Sequence, residues 1–147
     1  MQRWFGSRLR LLVPLCLLFA AGCGAGRYPV SGRVTYEDGS PVTDGTVICE
    51  SAVDGKPVAV QGSIGKDGYY ELGADKPGDG ALPGSYKVLV MPRALNETEL
   101  AEGKQPDIDG KYGKYESSGL KLEVKPQKNE FNITVSRPKP KPKEKGN

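Results

Sequence analysis

VSGRVTYEDGSPVTDGTVICES, running from Val30 to Ser51, decides the fold. Val30, Gly32, Val34 and Tyr36 fall on one phase of a two-residue period, and Arg33 and Thr35 on the other, which is the pattern of a strand with one buried and one wet face. Glu37 to Gly45 is turn chemistry: Asp-Gly, Ser-Pro and Asp-Gly again within nine residues. GTVICES then resumes the alternation, with Val47 and Cys49 in one phase and Glu50 in the other. Strand, turn-rich link and strand together indicate β structure.

Outward from this core the rhythm continues. Asp54-Gly55 makes a turn before PVAVQGSI, where Val58, Val60 and Ile64 share a phase. Lys66-Asp67-Gly68 turns into YYEL, Tyr69 to Leu72, and a loop spans Gly73 to Gly84. SYKVLVM follows with Tyr86, Val88 and Val90 in phase, and Pro92 ends it because proline cannot donate to a ladder. RALNETELAEGK carries helical propensity, so a short helix over 95–103 or an irregular excursion both fit. DIDGKYGKYESSG reads as loop. LKLEV and FNITV alternate around KPQKN and read as a terminal hairpin. The expectation is an all-β, seven-stranded antiparallel β-sandwich over 29–136, two sheets packed face to face to hide their apolar sides.

Composition narrows function by exclusion. The chain has 147 residues and no histidine, which removes His-based triads and the commonest zinc ligand. The net charge is +3, but the positive charge sits at the ends. Arg3, Arg8 and Arg10 open the chain unopposed, and RPKPKPKEKGN closes it with five basic groups against Glu144, so the intervening body is mildly acidic. A nucleic-acid-binding face on the domain is not expected. The closing segment has no apolar residue and alternates Pro with Lys, as extended, disordered tails do.

The N-terminus points to a location. After the basic first ten residues comes LLVPLCLLFA, an apolar run within signal-peptide length and too short to span a bilayer. Ala21-Gly22-Cys23 follows and resembles the bacterial lipoprotein lipobox, with Ala20 where that motif prefers Leu. The resemblance implies cleavage of a 1–22 signal peptide, acylation of Cys23, a 23–28 tether and attachment to a lipid membrane through the Cys23 acyl chains; palmitate is the expected acyl class. Two or three chains anchor stably where one does not. Gly24 stands where Asp would favour inner-membrane retention, so an outer-membrane location is implied.

A second resemblance concerns the body. Val30, Gly32, Val34, Gly39, Pro41 and Val47, then Lys66 to Tyr70, then Pro83 to Val88, resemble the carboxypeptidase regulatory-like, transthyretin-like sandwich. The order of these pieces is similar to that of the small transthyretin-like lipoproteins of planctomycete bacteria. The resemblance implies fold and envelope location, with no catalytic residue, cofactor or metal to carry over. The expected function is that of an envelope lipoprotein with a non-catalytic binding or accessory domain. A structural envelope component assembling through strand edges is the alternative, and a glycan-binding module the weaker one.

Four other features bear on chemistry. Asp107, Asp109 and Gly110 faintly echo a calcium loop, but Lys111, Tyr112 and Ser118 occupy positions that need ligands or glycine, so a solvated loop is expected. Gly78, Gly80 and Gly84 miss the dinucleotide-binding spacing and precede a strand instead of a helix. Cys49 shares the phase of Val47 and is expected to be buried and inert. Tyr69, Tyr70, Tyr112 and Tyr115 are candidate stacking surfaces for a glycan. Binding is expected to use the loops Gly73–Gly84 and Arg93–Gly119.

Overall fold

A computed structural model describes residues 26–53 and 56–139. The signal-like segment, Cys23 and the tail beyond residue 139 lie outside the described residues. Among the described residues, eight strands form two sheets: β1 (Val30–Tyr36), β2 (Thr46–Val53), β3 (Lys56–Ser63), β4 (Tyr69–Glu71), β5 (Gly84–Met91), β6 (Leu120–Val124), β7 (Asn129–Glu130) and β8 (Ile133–Val135). One sheet runs β3-β2-β5-β6 and is antiparallel throughout. In the other, β1 lies between β4 on one side and β7 and β8 on the other. The expected all-β sandwich is present.

The phases read from the sequence fill the space between the sheets. Val30, Val34, Tyr70, Leu72, Ile133 and Val135 meet Val47, Cys49, Val60, Tyr86, Val88, Val90, Leu122 and Val124 there, all buried. Each such aliphatic side chain contributes about 1.5–3 kcal/mol on burial, so this one cluster dominates the stability of the body.

The C-terminus departs from the expected hairpin. β6 pairs with β5 and β8 pairs with β1, in opposite sheets, and both β7 and β8 run parallel to β1. The cause is Asn129, buried at the end of the connecting turn. Its side chain accepts from the Lys125 N–H and donates to the Lys125 and Gln127 carbonyls. The turn therefore satisfies its own polar groups, and the chain crosses the sandwich instead of doubling back. The seventh expected strand is also interrupted at Phe131–Asn132. There the Phe131 carbonyl turns toward Gly32 and accepts from the Tyr70 hydroxyl at 2.5 Å, and Asn132 Oδ1 takes the Arg33 N–H at 2.9 Å. An added Cβ on Gly32 would collide with that carbonyl oxygen.

Helix α1 (Glu97–Ala101) falls inside the segment read as a short helix, with Asn96 and Glu99 forming a capping box. A short 3₁₀ helix, η1 (Gly110–Gly113), and helix α2 (Tyr115–Ser118) occupy the stretch read as loop and pack against β5. Ile108 and Tyr112 bury their side chains there. Among the described residues no helix is long and apolar enough to cross a membrane.

Candidate functional site: a tyrosine ridge at the β4 edge

Strand β4 is three residues long and forms one edge of its sheet. Alternation sends Tyr70 into the core and leaves Tyr69 and Glu71 on the outer face. The Tyr69 hydroxyl donates to Glu71 Oε1 at 2.7 Å, which raises the Tyr69 pKa because the neutral phenol is the donor. Arg33, opposite Tyr69 in register, sets its guanidinium 5.9 Å from the ring centroid. That arginine is itself held by Asp67, through the carbonyl at 2.7 Å and the carboxylate at 2.9 Å.

The Tyr69–Glu71 pair is a ridge between two grooves. The larger, of about 420 Å³, is lined by Gln61, Ser63, Asp75 and Lys76 beside the ridge. The smaller, of about 300 Å³, lies toward Pro29, Ser31, Gly78 and Lys128. The floor of the larger groove forms where β3 meets the chain leaving β4. Gln61 and Gly73 exchange backbone hydrogen bonds at 2.9 Å, and Gly62 permits the approach because any Cβ there would strike the Glu71 carbonyl.

One wall of the groove is the loop after β4, and Asp79 shapes it. Its carboxylate accepts from the Ala74, Asp75 and Lys76 N–H groups and from Arg27. Those backbone donors, Ala74 first, hold the carboxyl below its ordinary range. Arg27 also reaches Asp75 at 2.8 Å, and Tyr28 exchanges backbone hydrogen bonds with Ala81. The N-terminal entry to the sandwich is thereby fastened to this loop. Chemically, the groove offers an aromatic edge, carboxylates, an amide, a hydroxyl and an ammonium, all suited to a polar ligand that lies along the surface.

Of the four candidate tyrosines only Tyr69 stands exposed here. Tyr70 and Tyr112 are core residues. Tyr115 is half-buried beside Glu50, its pKa pushed up to about 12 by burial first and by Glu50 second. The four do not share one platform. Of the loop Gly73–Gly84, Gly73 to Pro77 line the larger groove, and no residue of Arg93–Gly119 does. Gly78, Gly80 and Gly84 serve as positive-φ residues of that loop. Asp109 caps η1 by accepting from the Lys111 N–H at 3.0 Å, and among the described residues no group of three His, Cys, Asp or Glu is placed to hold a metal. Cys49 is fully buried, and burial pushes its thiol up to about 12. Glu71, Gln61 and Arg33 escaped the sequence reading. The usable signal for Glu71 was its shared phase with Tyr69 in YYE.

No protein-family model matches this chain, and no curated protein matches it. In structure it is similar to a DUF3823 family protein from Parabacteroides merdae ATCC 43184, at 18% identity and a TM-score of 0.46. The likeness covers 76% of this chain and 46% of that one, so the chain spans less than half the length of that β-rich neighbour.

Proposed function

We propose that this chain is a lipid-anchored accessory protein of a bacterial envelope, non-catalytic, whose sandwich presents the β4-edge grooves to a polar partner. Its small-lipoprotein character follows the resemblance to the carboxypeptidase regulatory-like, transthyretin-like proteins of planctomycete type. The observation that carries the reading is the order of parts: a basic segment, a short apolar run, Ala-Gly-Cys23, then Arg27 already fastened to the sandwich. The anchor and the domain are adjacent, as a tethered module requires. The test is intact mass and fractionation of the protein made with its own N-terminus in a bacterial host. Diacylglyceryl on Cys23, and loss of envelope-membrane association in Cys23→Ser, are expected; a bare thiol in membrane-free protein overturns the reading.

A glycan is one polar partner the ridge suits, because an aromatic edge flanked by a carboxylate and an amide matches sugar hydroxyls and C–H faces. Tyr69→Ala should then weaken retention on a polysaccharide panel, with Tyr115→Ala as the unaffected control. A structural role through strand edges is favoured by β6, whose outer edge has no partner strand among the described residues. Concentration-dependent association of the protein would support that role.

A further inference from the structure

We infer that the partner of the β6 edge is the β6 edge of a second copy of this chain, in one antiparallel register centred on Leu122. The inference rests on the strand-edge role named above and gives it an occupant. In an antiparallel ladder a residue turns both its N–H and its C=O to one neighbour, and the next residue turns both to the other. Gln61 exchanges both of its bonds with Gly73, so its backbone groups point away from β2. The registers carry that parity across the sheet: Val60 and Gly62 face β2, Ile48 and Glu50 face β5, and Tyr86 and Val88 face β6. Leu120, Leu122 and Val124 therefore turn their backbone groups to β5, and Lys121 and Glu123 turn theirs outward. Lys125 continues the parity, and its outward N–H and C=O are held by the Asn129 side chain at 2.9 and 3.0 Å. The opposite edge of the sheet is built differently. On β3, Pro57 stands at an outward position with no N–H to offer, and Gln61 is bound to Gly73. The outward groups of Lys121 and Glu123 have no partner among the described residues.

Charge then selects the register. The side chains of Lys121 and Glu123 are exposed on the outer face of the sheet. Centring two antiparallel β6 strands on Leu122 sets each Lys121 directly opposite the partner's Glu123, with facing backbone groups and with both side chains on the outer face. Opposite charges in such cross-strand positions attract. Centring on Lys121 would oppose two lysines, and centring on Glu123 two glutamates. Centring on Val124 would set Glu123 against the partner's Lys125, but Asn129 already holds the Lys125 backbone groups. Of these registers one remains. It is isologous, so the contact closes on itself as a two-fold dimer. The neighbouring charges agree with it. Lys87 stands opposite Lys121, with Glu50 on its far side, and the partner's Glu123 completes a row of acid, two bases and acid. Lys121 has no ion-pair partner among the described residues. The Glu123 carboxylate accepts from the Ser85 hydroxyl through Oε2, which leaves Oε1 for the partner's Lys121. Lys125 meets the partner's Gly119, which brings no charge. Lys114 and Glu116 at the start of α2 offer one charge of each sign, as do Lys128 and Glu130 after β6.

The test uses the full chain made in a bacterial host and held in neutral detergent, with micelles in excess over protein. Sedimentation velocity from micromolar to millimolar protein should show a dimer that grows with concentration. In a mixture of nitrogen-14 and nitrogen-15 chains, a carbodiimide should join Lys121 of one isotope to Glu123 of the other, an amide that peptide mass spectrometry identifies. Lys121→Glu and Glu123→Lys, made singly, should each weaken dimerisation about tenfold or more, because both cross-strand pairs turn repulsive. The two changes in one chain should restore it, and the two single variants should pair with each other when mixed. Glu123→Pro removes an outward N–H and leaves the β5 ladder its bonds, so it should abolish the dimer while keeping the far-ultraviolet circular dichroism of the parent. A dimer that persists through all the charge reversals overturns this pairing and leaves assembly through another edge standing. A chain that stays monomeric at every concentration overturns the strand-edge role together with it.

Discussion

Gly32 is the residue on which the joining of the C-terminus to β1 depends. The Phe131 carbonyl occupies the space a side chain would take, and the Tyr70 hydroxyl locks it there. Gly32→Ala should cost about 3 kcal/mol, the upper part of the overpacking range, in a chemical denaturation series. Gly110→Ala is the control: its added Cβ meets nothing within 4 Å, and a change under about 0.5 kcal/mol is expected. Tyr70→Phe removes the donor but keeps the ring, so a loss of about 1–2 kcal/mol is expected from the orphaned carbonyl. Gly32 was visible in the sequence as a strand-phase glycine. The carbonyl it admits was not, because the close approach joins residues 99 positions apart and has no local pattern.

Among the elements, α1 is held by its caps and not by packing. No residue of it is buried, and Leu100 is 60% exposed. Glu99 is held down to about 2 from an ordinary 4.5, by Arg93 first and then by the Asn96 N–H. A carboxyl with a depressed folded-state pKa stabilises above its ordinary value, and that contribution is lost as pH falls from about 4.5 toward 2. Hydrogen exchange of the α1 amides should accelerate over that window while the β-core amides stay protected. Asn96→Ala should do the same at neutral pH, by about 1 kcal/mol locally. This helix was legible because its cap signature is local. The strands were legible because their phase is. The crossing of the C-terminal strand was not, since Lys125 to Asn129 has the composition of a hairpin turn and only the burial of Asn129 distinguishes it. Ile108 and Tyr112 were missed for a similar reason: single apolar residues in a polar stretch carry no period. The ridge itself was half legible. Tyr69 stood out as an aromatic, but the grooves beside it need β3 and the loop after β4 brought together by tertiary packing.

For the molecule as a whole, Cys49 reports on opening. It sits at the centre of the core, fully buried, with a thiol pushed up to about 12. Thiol reagents should reach it only through global unfolding. Where opening is in fast equilibrium, the Gly32→Ala loss of about 3 kcal/mol should speed labelling on the order of a hundredfold. Unchanged labelling in that variant would mean the thiol is reached through a local opening instead. The parallel pairing of β1 with β8 has one more consequence, a mechanical one. Tension between the start and the end of the sandwich pulls these two neighbours in opposite directions along their common axis. The bonds joining Val34–Tyr36 to Ile133–Val135 must then slip together in shear instead of unzipping one by one. A sandwich wired this way is a tension-bearing strut, and in a single-molecule pulling experiment it should rupture at higher force from its two termini than across the antiparallel β5–β6 pair.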